Sequence, residues 1–164
     1  LVNGLDFPDA LSVAAYAARL GMPVLMTRPD VMPDATVQAL EALGVTETIV
    51  IGGTSVVSDE VMAAAPGAIR ICGSNRYATS VAIAEFFMPD TAQMYVATGL
   101  EFPDALSGAV LAAKNNSGVL LVGNTVHEDV IGYLTKNSVR RVVIFGGEGA
   151  VSSNLEDELS ALLR

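Results

Sequence analysis

Residues 99–107 read Gly-Leu-Glu-Phe-Pro-Asp-Ala-Leu-Ser, and residues 4–12 read Gly-Leu-Asp-Phe-Pro-Asp-Ala-Leu-Ser. The two stretches lie 95 positions apart and differ only in which acidic residue stands third. Matches at an offset of 95 or 94 continue outward from them, pairing 23–26 with 118–121, 51–53 with 145–147, and 57–58 with 151–152. A fixed spacing of this kind is the mark of a duplicated structural unit.

The two copies differ in completeness. The second copy has a front segment, residues 68–98, of which the first copy retains only Leu1 and Val2. We therefore predict a truncated first unit over residues 1–67 and a complete second unit over residues 68–164. The missing helix and strand leave a sheet edge and an apolar face uncovered in the first unit. Because such edges pair with other chains, we predict an oligomer in which a partner covers this gap.

Short apolar runs alternate with segments of helical spacing in both copies. The runs are continuously apolar, which is typical of parallel strands buried on both faces. The sequence therefore predicts an α/β fold of two tandem repeats, each a parallel β-sheet covered by helices. A capping box of Ser153 and Glu156 is predicted to open the last helix. The other predicted helices cover 10–20, 35–43, 103–115 and 128–136; one more is opened by Ser58, and another starts at Arg76. The predicted strands cover 24–26, 48–51, 94–98, 118–122 and 141–145.

Composition excludes several classes of function. Nine Lys and Arg against 18 Asp and Glu give a net charge of −9, which argues against a nucleic-acid partner. A single Cys and a single His exclude a disulfide framework and a zinc site built from these residues, so no metal or cofactor is predicted. Hydrophobic residues make up 51% of the chain, enough for a buried core, yet no apolar run reaches the ~18 residues of a membrane span.

The repeated Asp9 and Asp104 are the first candidate site residues. Each follows a predicted strand, and open α/β sheets bind ligands at the carboxyl ends of their strands. Each also stands in the first turn of a predicted helix, where a carboxylate stabilises the helix dipole. The residue pattern favours this structural role and leaves both roles open.

Arg76 begins a predicted helix, where a cation is unfavourable to the dipole. We expect a partner that holds it there, either Asp104, Asp9 or an anionic ligand. The glycine pairs 52–53 and 146–147 lie between a strand and a helix, and their amides suit either an anion cradle or, as we favour, a tight turn.

Nothing in the sequence supports catalysis. No nucleophile elbow occurs, His127 is expected on the surface, and Cys72 is expected to be a small buried apolar residue. We therefore predict that the chain is not an enzyme. Two alternatives to a binding function stay open at this point: a phosphate- or nucleotide-handling α/β enzyme, and an architectural repeat that only self-assembles.

Residues 70–80, Arg-Ile-Cys-Gly-Ser-Asn-Arg-Tyr-Ala-Thr-Ser, resemble the opening of the cell wall binding repeat 2 family. Residues 102–107, 119–121 and 145–152 continue that pattern in order. The resemblance implies a Toprim-like α/β fold and three tandem repeats related by pseudo-threefold symmetry. It also implies a non-catalytic module that anchors exported Gram-positive proteins, S-layer proteins among them, outside the cell. The implied contact is non-covalent, to an anionic wall polymer or peptidoglycan.

The resemblance also implies which residues take part in ligand binding or in packing between repeats. Two departures from the family pattern stand out: Gly118 replaces the proline seen at Pro23, and Ser74-Asn75 replaces a small acidic pair. The implied residues, together with the second glycine pair, are Arg76, Tyr77, Asp104, Ser107, Asp9, Ser12, Leu120, Leu121, Gly146 and Gly147.

Overall fold

The computed structural model describes residues 1–87, 92–137 and 139–163. Within them, strands and helices alternate along the chain, as the sequence predicts. The strands are β1 (Val2–Asn3), β2 (Met26–Thr27), β3 (Thr48–Ile51), β4 (Ala68–Ile71), β5 (Gln93–Thr98), β6 (Val119–Val122) and β7 (Arg141–Phe145). The helices are α1 (Pro8–Leu20), α2 (Asp34–Ala42), α3 (Asp59–Ala64), α4 (Arg76–Phe87), α5 (Pro103–Lys114), α6 (Glu128–Lys136) and α7 (Ser153–Leu162).

All strand pairs among the described residues are parallel. The second unit has the order β6-β5-β7. In the first unit β1 pairs with β2, and β3 pairs with β4. The amide of Ile51 donates to the carbonyl of Leu1 at 2.9 Å, which sets β1 beside β3 and gives the order β2-β1-β3-β4. The two units therefore share a central arrangement of three strands, which the duplicated sequence predicts.

Strand β4 lies in the sheet of the first unit, although its residues open the segment predicted to begin the second. It pairs with β3 in register from Thr48 opposite Ala68 to Ile51 opposite Ile71. Helix α3 connects β3 to β4, because two consecutive parallel strands of one sheet need a crossover connection. The first sheet and α4 of the second unit are thus joined directly by the short segment 72–75.

The helix starts follow their local residues, with one correction. Pro8 and Pro103 stand in the first turns of α1 and α5, where proline needs no amide partner. The predicted capping box is wrong, because Ser152 and not Ser153 caps α7 by accepting from the amide of Leu155. The side chain of Ser153 instead donates to Glu148.

The second sheet is covered on both faces, as its continuously apolar strands predict. Met94 and Val96 pack with α4 and α6 on one face. Tyr95 and Ala97 alternate with them and pack with α5 on the other face. Period-two alternation along β5 therefore feeds two separate apolar layers.

Helix α1 of the first unit packs across the second unit, against α5, α4 and β6. Leu11 and Ala15 share a core cluster with Val119 and Leu121. Tyr16 is fully buried, stacks on Phe87 with ring centroids 5.2 Å apart, and reaches Gly118. A Cβ atom at Gly118 would lie 1.7 Å from the Tyr16 hydroxyl, so the close approach requires glycine there. The departure from proline at this position is thus a packing requirement between the units.

The first unit contains an apolar cleft of about 170 Å³ beside Leu1. It lies between α1, α2, the strands β1 and β3, and the segment 22–25. Whether a partner fills it, as the sequence analysis predicts, stays a prediction. Within the described residues, no helix combines the length and the apolar character needed to cross a membrane.

Candidate functional site

A polar cavity of about 160 Å³ lies at the carboxyl ends of the strands of the first sheet, beside the start of α4. Loops that follow β1, β3 and β4, together with the first turns of α1 and α4, form its walls. The cavity therefore lies where open α/β sheets usually bind their ligands. Its lining residues are Asn3, Asp6, Pro8, Asp9, Gly52, Gly53, Ser55, Val56, Gly73, Ser74, Asn75, Arg76 and Thr79.

Asp9 is a half-buried carboxylate in this cavity. No described residue gives its side chain a hydrogen bond or an ion pair, and it does not cap α1. Burial raises the pKa of the Asp9 carboxyl, the nearby Asp6 carboxylate raises it further, and the Arg76 guanidinium opposes both. A carboxylate left without a donor inside a cleft is typical of a binding site rather than of a helix cap.

The glycine pairs form tight turns, the role the sequence analysis favoured. The amides of Val56 and Val57 both donate to the carbonyl of Gly53 at 2.9 Å, and residues 150 and 151 repeat this at Gly147. Gly52 and Gly146 have φ of 108° and 114°, a conformation that favours glycine. A Cβ atom on either would also lie within 2.7 Å of the Asp9 or Asp104 carboxylate. Each glycine turn therefore packs directly against the carboxylate of the repeated aspartate.

Arg70 holds the first glycine turn in place, and the sequence analysis missed it. Its guanidinium donates to the carbonyl of Gly52 at 2.7 Å and pairs with Asp59 at 3.0 Å. The side chain is only 14% exposed. The sequence signal for this role is an arginine within an otherwise apolar strand, because a buried cation needs partners.

Arg76 bridges the two units. Its guanidinium donates to the carbonyl of Gly99 at 2.6 Å in the second unit and lies 3.9 Å from Asp6 in the first. It also stands 5.9 Å from the centre of the Phe7 ring. The expected ion pair with Asp9 or Asp104 is wrong, because Asp6, which lies in the loop before α1, is the carboxylate in reach.

The start of α4 is fixed by Asn75, whose side-chain oxygen accepts from the amides of Tyr77 and Ala78 at 2.9 and 3.0 Å. Its amide nitrogen lies 3.2 Å from Nε2 of His127, and the His127 ring stacks on Tyr77 with centroids 5.5 Å apart. The surface position expected for His127 is therefore wrong. It is a half-buried helix cap that ties α6 to α4 beside the cavity.

The remaining candidate residues occupy different environments. Leu120 and Leu121 are fully buried in β6, and Ser12 is fully buried in α1. The hydroxyls of Ser12 and Ser107 both donate to a carbonyl four residues back in their own helices, at 2.9 Å. Cys72 is exposed, so its expected burial is wrong. Among the described residues, no group of three or more His, Cys, Asp or Glu side chains is placed to hold a metal ion.

We expect Asp9→Asn to raise the free energy of unfolding at pH 7. The folded state raises the pKa of this carboxyl, so it binds the proton more tightly than the unfolded state, and stability falls as pH rises through the folded pKa. The asparagine removes this cost of ionisation. The gain should vanish at about pH 3, below the unfolded pKa of 3.8, where the carboxyl is protonated in both states. Thermal unfolding at the two pH values measures this, and an equal gain at both would contradict it.

Comparison with known proteins shows which family this chain belongs to. The family model for cell wall binding domain 2 (CWB2) matches residues 1–62 and again residues 70–156. The chain is 32% identical over 160 residues to the N-acetylmuramoyl-L-alanine amidase LytC of Bacillus subtilis, covering 97% of this chain and 32% of the amidase. It is 30% identical over 164 residues to the amidase enhancer of the same organism, covering 98% of this chain and 22% of that protein.

Solved structures agree with this match. Cwp6 from Clostridium difficile superposes with a TM-score of 0.85 at 25% identity, over 98% of this chain and 27% of Cwp6. Cwp8 from the same organism gives a TM-score of 0.79 at 25% identity, over 94% and 27% of the two chains. The chain thus spans about a third or less of the proteins that it matches. It belongs to the cell wall binding domain 2 family, and it is a cell-wall-binding module of the kind found in Gram-positive surface proteins.

Proposed function

We propose that the chain anchors an exported protein by binding an anionic wall polymer non-covalently in the cavity between its two units, and that it catalyses no reaction there. The observation that supports this proposal is Arg76. Its guanidinium lines a polar cavity at the carboxyl ends of the first sheet's strands and contacts residues of both units. A guanidinium suits phosphate and carboxylate groups because its planar donors match their oxygens.

Because the chain has a net charge of −9, its binding to an anionic polymer must depend on short-range interactions inside the cavity. Repulsion between the chain and an anionic polymer is screened over about 8 Å at physiological ionic strength. Hydrogen bonds within the cavity act at shorter range than that. Arg76 and the neutral polar groups around it can therefore hold a charged segment that the rest of the surface repels.

Purified wall sacculi test the proposal. We expect intact sacculi to pull the chain down, and sacculi stripped of their polymer by acid to lose it. Arg76→Gln should weaken binding to intact sacculi, whereas Arg28→Gln, outside the cavity, should not. Equal binding to intact and stripped sacculi would exclude the anionic polymer as the ligand.

We propose further that residues 1–67 and 68–164 are two repeats, and that another repeat of the same type docks on the outer face of α5. Three residues of α1 buried against the second unit, Leu11, Ala15 and Tyr16, are at most 3% exposed. Their equivalents at the 95-residue offset in α5 are 55%, 58% and 48% exposed: Leu106, Val110 and Leu111. An apolar face that is buried in one copy and open in the other indicates a contact that repeats from unit to unit.

The open edge of the second sheet is a second argument for the docking of another repeat. Strand β3 pairs with β1 on one side and with β4 on the other, whereas β7, its equivalent, pairs among the described strands with β5 alone. An open edge accepts a further strand. Another repeat with a β4-like strand would fill this edge while it covers α5.

We expect the double substitution Leu106→Glu, Val110→Glu to abolish association and leave the fold intact. Both side chains are exposed, so the free energy of unfolding should change by no more than about 0.5 kcal/mol. A second copy of the chain serves as the added repeat, and sedimentation at rising concentration measures the association. The exposed Val31→Glu in the first unit is the matched control and should associate like the unmodified chain. A chain that stays monomeric at every concentration would contradict the proposal.

A further inference from the structure

We propose that the cavity between the units takes an amino sugar whose ammonium group binds Asp9 while an anionic group on the same or the next sugar binds Arg76. This inference rests on the proposed function, since it names the chemistry of the polymer segment that the cavity holds. It makes the ligand zwitterionic, with one positive and one negative charge a sugar ring apart.

Charge balance inside the cavity supports the ammonium group. The charged lining residues are Asp6, Asp9 and Arg76. Asp6 and Arg76 lie 3.9 Å apart and offset one another, so the three charged residues together carry one net negative charge. A purely anionic ligand would bring a second negative charge toward a carboxylate that is already partly desolvated, which is unfavourable. A ligand that carries its own cation removes this conflict.

Unused hydrogen-bond donors define the rest of the site. Asn3 is only 8% exposed, and its side-chain oxygen accepts from the amide of Leu5, while its amide nitrogen has no acceptor among the described residues. Thr79 is 3% exposed; its hydroxyl oxygen accepts from the amide of Gly73, and its proton has no acceptor among the same residues. Both residues line the cavity. Both side chains can therefore donate a hydrogen bond to oxygen acceptors of a ligand held in the cavity.

The size of the cavity selects a single sugar ring. Its volume of about 160 Å³ corresponds to roughly five water molecules at ~30 Å³ each. That space suits one pyranose with its substituents. Hydroxyl oxygens of the ring would accept from Asn3 and Thr79, and its ammonium would donate to Asp9.

The test compares glucosamine 6-phosphate with N-acetylglucosamine 6-phosphate. The two sugars differ at the 2-position alone, which carries a charged amine in the first and a neutral, bulkier acetamido group in the second; a preference due to size alone would survive Asp9→Asn. We expect an NMR titration to show that the free amine binds at least about tenfold more tightly, as a charge-assisted hydrogen bond does over a neutral one. Asp9→Asn should remove this preference for the free amine. Arg76→Gln should lower the affinity of the chain for both sugars. Asp104→Asn, at the equivalent position of the second unit, should keep the preference.

The outcomes separate this inference from the proposed function. Equal binding of the two sugars, or a preference that survives Asp9→Asn, overturns the inference. If neither sugar binds while intact sacculi still retain the chain, the inference fails and the wall-polymer proposal stands. If the sacculi do not retain the chain, the wall-polymer proposal fails, and the sugar titration still decides what the cavity accepts.

Discussion

Replacing Gly118 by alanine should lower the free energy of unfolding by about 3 kcal/mol, the upper part of the range for overpacked cores. The added Cβ would lie 1.7 Å from the hydroxyl and 2.0 Å from Cζ of Tyr16. Tyr16 is fully buried and stacked on Phe87, so its ring has no space into which it can retreat. The variant must separate α1 from the second unit or distort β6.

Gly132→Ala is the matched control for this substitution. Gly132 lies inside α6 with no atom within 4 Å of an added Cβ, so alanine should stabilise the helix by up to about 1 kcal/mol. Urea unfolding of both variants measures the difference. Gly118→Ala should also cost less in a Tyr16→Leu background, which places at residue 16 the leucine found at its equivalent, Leu111. An unchanged cost in that background would show that Tyr16 is not the obstacle.

Gly73→Ala should cost about 3 kcal/mol and should also weaken binding to wall sacculi. Its Cβ would lie 2.4 Å from the carbonyl carbon of Ala78 and 2.6 Å from the amide nitrogen of Thr79. These are backbone atoms of the first turn of α4, so the segment between β4 and α4 must move as a whole. That segment is one wall of the cavity and leads directly into Arg76, the first residue of α4, so the loss of stability and the loss of binding should occur together.

Gly149→Ala, in the second unit and outside the cavity, is the control. An added Cβ there meets no atom within 4 Å, and the backbone is outside the left-handed region. We expect unfolding and sacculus binding like those of the unmodified chain. If Gly73→Ala also left stability and sacculus binding unchanged, the close packing of segment 72–75 on α4 would be wrong.

The duplication made most of the fold predictable. The block at residues 4–12 and 99–107 places a helix after a strand in each copy. The helix was predicted from residue 10 in the first copy and from Pro103 in the second, and both α1 and α5 begin at the proline. The apolar runs predicted parallel strands; β3 and β7 have the predicted bounds, and other strand ends differ by one or two residues. For example, β2 is Met26–Thr27 rather than 24–26, although the carbonyl of Leu25 still accepts from Val2 at 3.0 Å.

The candidate site was predictable only in part. A repeated aspartate after a strand and an arginine at a helix start were visible as residue types, and the structure brings Asp9 and Arg76 to one cavity. Their partners were not visible. Asp6 holds Arg76, and Arg70 holds the glycine turn, because loops from different units meet there, and local patterns carry no information on such contacts.

By itself, the amino-acid sequence determined that the chain contains two copies of one α/β unit, because identical local patterns form identical strands, turns and helix starts. Tertiary structure alone decided what each copy does with its equivalent residues. Leu11 is 3% exposed and Leu106 is 55% exposed, although both stand in the same Asp-Ala-Leu-Ser motif. Burial depends on what packs against a face, so the order of the two units along the chain, rather than their shared motif, separates a buried interface from an open one.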